Sequence, residues 1–225
     1  MLFTARTTAS WQTRMTPTNW HHLYVGDDHH GANWQGPLTD HFAALGNAGF
    51  DGDVVVGLVG GYAQRQQARA WMSERRPDWI LGVVAEEGFE MTTLNVMHQW
   101  AQRRDTHPKT PVLYTHGKGS FQSSYYADCW RKAMLEKLVG GWRECVKSLH
   151  TVDAVGCHWL TPEQEPEKID TPMFGGNFWW ANAGYIAGLP PIGWGNRWEA
   201  EGWIGKRNPT VENLIEGWPV YPTRA

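Results

Sequence analysis

Residues 53–61 read DVVVGLVGG. Val54, Val55, Val56 and Val59 are β-branched and no polar residue alternates with them, so the run fits a strand buried on both faces and closed by Gly60-Gly61. Such a strand needs helices on both sides of its sheet, which points to an α/β architecture. Upstream, residues 22–25 form a short strand candidate ending in the turn-forming Gly26-Asp27-Asp28, and residues 38–45 have helical spacing that stops near Gly46 and Asn47. Downstream, residues 64–75 read as a helix and 79–85 as a third strand; residues 91–103 read as a helix with Leu94, Met97 and Trp100 on one face, and 111–114 as a fourth strand. A polar loop over 115–123 follows. Residues 125–149 predict the longest helix, with Trp130, Met134, Leu138, Val139, Trp142 and Val146 as its apolar stripe and a kink at Gly140-Gly141. Residues 152–159 are strand-like, and 174–181 predict a strand running into a short helix that stops at Pro190. Strand and helix alternate with short links through the first two-thirds. The expectation is a single α/β domain, a mostly parallel sheet flanked by helices, with ligand sites beyond the C-terminal ends of the strands.

A chain of 225 residues with 41% hydrophobic content can bury the core of one such domain. The formal charge of -3 provides no basic stripe for a phosphodiester backbone, so nucleic acid is not expected as a partner. No apolar run approaches the roughly 18 residues of a transmembrane segment, and the N-terminal residues lack the apolar stretch of a signal peptide. A cytoplasmic location is the expectation. Cys129, Cys145 and Cys157 are odd in number and lack C-x-x-C spacing, and read as reduced, packed thiols. The outlier is tryptophan, 15 in the chain, a residue of surfaces that stack on ring-shaped ligands as well as of cores. Composition leans toward a carbohydrate ligand.

Neither a G-x-G-x-x-G fingerprint nor a P-loop is present. Residues 113–120 read LYTHGKGS, which places His116, Lys118 and Gly119 just past a strand, a cation and a flexible backbone where a diphosphate would be held. A solvated lysine in a glycine-rich turn fits the same letters. Residues 25–31, VGDDHHG, crowd Asp27, Asp28, His29 and His30 together. They are open to three readings: a turn, a nucleotide contact from Asp27 or Asp28, or a metal site.

Several motifs carry a resemblance. Glu90-x-x-Thr93-Leu94, Leu113-Tyr114-x-His116-x-Lys118-Gly119, Trp130-Arg131-x-x-Met134, Asp153-x-Val155-Gly156, Gly176-Asn177-Phe178-Trp179-Trp180-Ala181 and Glu201-x-Trp203-Ile204 follow in that order. Together they resemble the pattern of small glycosyltransferases found in bacterial surface-polysaccharide loci and in viruses, from about Trp20 to about Ile204. The resemblance implies a GT-A-like, Rossmann-like fold. Residues 1–19 are then an N-terminal extension and 20–225 the glycosyltransferase domain, with a nucleotide-binding half over about 20–120 and an acceptor-binding half over about 121–225. The implied partners are a nucleotide-diphosphate sugar and a glycan or protein acceptor. The family's pattern carries a histidine two residues before the glycine of GNFWWA, where this chain has Phe174.

Many GT-A enzymes end a central strand with Asp-x-Asp, which holds a divalent cation on the donor diphosphate. Here His116 and Lys118 would occupy the acidic positions, and a fixed ammonium could neutralise the leaving diphosphate. No tightly bound cofactor is expected, and manganese or magnesium, though open to the site, is not expected either. Arg131 would bind phosphate bidentately or form a salt bridge on a helix face. Gly175 and Gly176 would let the backbone approach a sugar, Asn177 would hydrogen-bond its hydroxyls, and one of Trp179 and Trp180 would stack on the ring while the other enters the core. Residues 196–205, NRWEAEGWIG, place Glu201 at the family's Glu-x-Trp-Ile, making it the candidate base of an inverting transfer, with Glu199 second; both also suit a surface helix start.

Three functional readings follow. A glycosyltransferase accounts for the alternating strands, the cationic loop and the tryptophans. A glycoside hydrolase using Glu199 and Glu201 leaves the cationic loop without a purpose, and a non-catalytic carbohydrate-binding module leaves Lys118 and Arg131 without one.

Overall fold

The computed structural model describes residues 16–27, 31–120, 124–164, 170–193 and 198–217. Asp28, His29 and His30 and most of the stretch read as an N-terminal extension lie outside the described residues, so the metal and nucleotide readings of 28–30 are not addressed by it.

Strand and helix alternate from the start: β1 (Thr18–Tyr24), α1 (Gln35–Asn47), β2 (Asp53–Val59), α2 (Tyr62–Arg75), β3 (Ile80–Ala85), α3 (Glu90–Ala101) and β4 (Pro111–His116). The long helix follows as α4 (Tyr125–Leu135), a π-helical turn over Glu136–Gly140, and α5 (Trp142–Ser148), so the helix is interrupted at Gly141, within the Gly140-Gly141 pair. The remainder comprises β5 (Ala154–Gly156), β6 (Trp159–Leu160), β7 (Met173–Phe174), β8 (Trp179–Asn182), α6 (Ala183–Ala187), α7 (Trp198–Gly202), a 3-10 turn over Trp203–Gly205 and β9 (Val211–Asn213).

Among the described residues one sheet has the order β3-β2-β1-β4-β8-β5-β9. All its pairings are parallel except those of β8, which runs antiparallel between β4 and β5. This is a single-domain, GT-A-like α/β fold with a mostly parallel sheet flanked by helices. One face packs Leu23, Val56, Leu113 and Trp180 against α1, α2, α4 and α5; the other packs Trp20, Val55, Tyr114 and Trp179 against α3, α6 and α7.

Two boundaries differ from the sequence reading in ways that bear on function. Strand β1 begins at Thr18, inside the supposed extension, because its polar residues are buried against one another rather than exposed. His41 Nε2 donates to Asn19 Oδ1 (2.7 Å), Asn19 Nδ2 donates to Thr115 Oγ1 (3.1 Å), and that hydroxyl is 2.9 Å from His21 Nδ1. The His21 and His41 rings stack at 4.3 Å. Strand β4 runs on through Thr115 and His116, so the polar loop starts at Gly117. The boundary drawn at residue 120 does not divide the sheet, since β8, β5 and β9 extend it from beyond that point.

Candidate functional site

The end of β4 and the glycine turn before β8 meet. The sequence predicts one strand over 174–181, but Gly175–Phe178 form a turn between β7 and β8 in which Gly176 (φ +86°) and Asn177 (φ +53°) take the left-handed conformation. A Cβ at Gly176 would lie 2.9 Å from Met134 Sδ and 3.1 Å from the Trp130 ring, so the close approach to α4 requires glycine. The turn aims the Gly176 carbonyl at β4, where it accepts a hydrogen bond from His116 Nε2 (2.9 Å).

On the other side of the His116 ring lies Glu90, the first residue of α3, with Oε1 3.6 Å from His116 Nδ1. Its second oxygen accepts from Asn177 Nδ2 (2.7 Å) and the Tyr114 hydroxyl (3.1 Å). Burial alone would raise the Glu90 pKa, but His116, His22 and those two donors together hold it below the usual carboxylate range. The Tyr114 phenol is pushed well up by burial and then by Glu90, so it remains a donor. His22, on β1, is lowered to about 4 by burial, against the opposing pull of Glu90, and its Nδ1 bonds Thr93 Oγ1 at 2.8 Å. Glu90 keeps 19% of its side chain exposed and His116 14%, so this carboxylate-imidazole pair sits at the surface of the core rather than sealed within it.

Beyond His116, Lys118 extends over the Trp130 ring, 3.7 Å from its centroid, and Trp130 in turn meets the His158 ring edge-on at 6.0 Å. Gly119 (φ +88°) turns the backbone against Arg131. Of the two readings of Arg131, the structure shows the salt bridge and not an arginine open to phosphate. Its guanidinium is buried, bonds Asp40 (2.7 Å) and the Lys118 carbonyl (2.7 Å), and pairs with Asp128 (2.9 Å). It shapes the Gly119 turn and has no open fork for a phosphate.

For the tryptophans of GNFWWA, the expected core position of one holds, but the expected stacking of the other on a sugar does not. Trp179 is 1% exposed and stacks on Tyr114 (5.2 Å) in one core; Trp180 is fully buried in the other, where its Nε1 donates to the Leu138 carbonyl (2.9 Å). Alternation along β8 does send them to opposite faces, but helices cover both faces and neither ring is open to a sugar. Asn177, also buried, spends its amide on Glu90, the Ala200 carbonyl (3.2 Å) and Trp179 Nε1 (2.8 Å) rather than on a ligand hydroxyl. It thereby ties α7 to Glu90, with Glu199 and Glu201 on either side of Ala200. Glu199 lies against Gly193, and both carboxylates are on a half-exposed helix beside the site. Asp27 lies just past β1, beside Tyr24, at the same end of the sheet as His116.

The structure therefore groups His116, Gly176 and Asn177, places Lys118 and Gly119 next to them, and adds Glu90, Tyr114 and His22. Sequence spacing does not connect Glu90 to His116; the available signals are its place at the head of Glu90-x-x-Thr93-Leu94 and an acidic residue opening the helix after β3. Asp153 bonds the backbone and hydroxyl of Thr210 (2.9 and 2.8 Å) and positions a loop. Among the described residues no three His, Cys, Asp or Glu side chains gather as a metal would require, and no helix is long and apolar enough to cross a membrane.

The family model described as "Domain of unknown function (DUF8361)" matches residues 20–206. Among curated proteins none matches the chain. Among solved structures, HddC from Yersinia pseudotuberculosis is similar to it with a TM-score of 0.53 and 8% identity, over 89% of this chain and 90% of that one. The 4-diphosphocytidyl-2C-methyl-D-erythritol synthase from Anaerococcus prevotii is similar with a TM-score of 0.50 and 8% identity, over 90% of both chains. At such identity the likeness is one of fold.

Proposed function

The chain belongs to the DUF8361 family, and on the site just described we propose that it is a glycosyltransferase, moving a sugar from a nucleotide-diphosphate sugar to a hydroxyl of a glycan or protein. One observation carries this reading: the cationic glycine turn after β4 lies at the C-terminal end of the parallel strands and touches the glycine turn of GNFWWA through His116 and Gly176. Lys118 would face the donor diphosphate. In an inverting transfer a carboxylate, Glu201 or else Glu199, takes the acceptor proton as its oxygen attacks the anomeric carbon; the bond from that carbon to the phosphate oxygen breaks, and the nucleoside diphosphate leaves with the electron pair, stabilised by Lys118. The test is a screen of UDP-, GDP-, TDP- and CMP-sugars, with and without Mn²⁺ and with EDTA, reading thermal shift and then nucleotide release. Turnover in EDTA with release of nucleoside diphosphate is expected; complete, Mn²⁺-reversible loss of turnover would point to an acidic metal site instead.

The likeness to a protein whose name describes diphosphocytidyl synthesis supports a second reading, nucleotidyl transfer to a sugar phosphate. The products separate the two: nucleotidyl transfer from a nucleoside triphosphate releases pyrophosphate.

A further inference from the structure

We propose that Glu90 and the Gly176 carbonyl hold His116 as an imidazolium, so that a diphosphate at the end of β4 is met by two cations, His116 and Lys118. The argument starts from hydrogen-bond chemistry. A carbonyl oxygen only accepts, so His116 Nε2, 2.9 Å from Gly176 O, carries a hydrogen. Glu90 Oε2 receives donors from both Asn177 and Tyr114, which favours the charged carboxylate. A neutral His116 would then point its Nδ1 lone pair at Glu90 Oε1, 3.6 Å away. A second proton on Nδ1 turns that repulsion into an ion pair, strengthened because little of either side chain reaches water.

Several described groups near the ring do not compete for this proton. His22 on β1 is neutral, lowered to about 4, and His21, on the opposite face of β1, is also kept neutral by burial. The turn before β8 contributes the edge of the Phe178 ring, at 5.1 Å. From α4, the charge of Arg131 is taken by Asp40 and Asp128, and Glu199 and Glu201 belong to α7, which Asn177 holds through Ala200. Lys118 follows two residues later, and His158 beyond it is lowered by burial, with the Lys118 charge adding to that. The protonation of His116 therefore sets the charge that a diphosphate meets at this point: a neutral ring would leave the Glu90 anion without a counter-charge from the imidazole, whereas an imidazolium offsets it.

The meaning of the diphosphate rests on the proposed glycosyl transfer, but the test does not. Histidine ¹⁵N resonances of the ligand-free chain are followed against pH in EDTA, with His116→Gln assigning the signal. His116 should remain protonated at pH 7 and lose its proton above the ordinary value of about 6.5, and Glu90→Gln should lower that midpoint by about one unit or more. Calorimetry with inorganic pyrophosphate should show wild type binding about tenfold more tightly than His116→Gln at pH 7, the gap closing as pH rises through the wild-type midpoint. A neutral His116 at pH 7, an unmoved midpoint in Glu90→Gln, or equal pyrophosphate affinity in wild type and His116→Gln would each overturn the proposal. The wild-type titration needs no variant, so a Glu90→Gln chain that fails to fold leaves the test intact. If no nucleotide sugar serves as donor, the glycosyltransferase reading falls while these measurements still decide the state of His116.

Discussion

Lys118 lies over an aromatic ring, 3.7 Å from the Trp130 centroid, a cation–π contact that holds the ammonium beside His116. Lys118→Ala should weaken binding of the donor nucleoside diphosphate by about 1.5–3 kcal/mol by calorimetry, the range for hydrogen bonds to charged groups. Unchanged affinity would remove Lys118 from the site. For the carboxylates beside it, Glu201→Gln should lower kcat by about 10²–10⁴-fold with donor affinity nearly intact, and Glu199→Gln should do less. If both variants turn over normally on a defined acceptor, the base lies elsewhere, first at Glu90. The tryptophans of GNFWWA belong to stability: Trp179→Ala should cost about 3–5 kcal/mol in urea unfolding, as large-to-small core changes do. At this scale the sequence shows which residue types gather but not which way they face. Lys118 and Gly119 stand out because a cation in a glycine turn announces itself locally; the choice between the two readings of Arg131, and the direction of Asn177, depend on Asp40 and Glu90, which are distant in the chain.

Helix α3 brings Glu90 to the site, and a glycine lets it do so. Gly57 on β2 faces Thr93, and a Cβ there would overlap the threonine hydroxyl and approach its Cβ to 2.8 Å. Gly57→Ala should therefore lift α3 from the sheet, costing about 1–3 kcal/mol of stability by overpacking and loosening the contact of Thr93 with His22. Unfolding curves that coincide with wild type would show that the helix yields without strain. The bounds of β2 matched the sequence reading because its residues are buried on both faces and apolar throughout. Those of β1 did not, because Asn19 and His21 are polar letters whose burial depends on His41 and Thr115, which no local pattern reveals. The break between β7 and β8 was hidden by its apolar composition, although Gly175-Gly176-Asn177 carried the turn signal.

The whole molecule stores several histidines in neutral form. His41 is lowered to about 3 by burial and then by Arg76, His22 to about 4, and His21 well below its ordinary value, whereas all three titrate near 6.5 when unfolded. Below pH 6.5 the unfolded chain thus binds protons that the folded chain refuses, and stability should fall from pH 6.5 toward pH 4 by up to about 1.4 kcal/mol per pH unit for each histidine. Urea midpoints measured from pH 7.5 to 4.5 check this; a flat profile over that range would contradict it. The layered architecture was the most legible feature, since strand and helix periods alternate openly, whereas the place of β8 in the sheet depends on pairing across the chain. That place governs how the protein is made. On the ribosome, residues 111–114 emerge long before residues 179–182, which among the described residues fill the edge of β4 away from β1. At roughly 5–20 residues per second the nascent sheet carries that open edge for several seconds. A transcript cut short before β8 should therefore yield a sticky, chaperone-bound fragment rather than a smaller working domain.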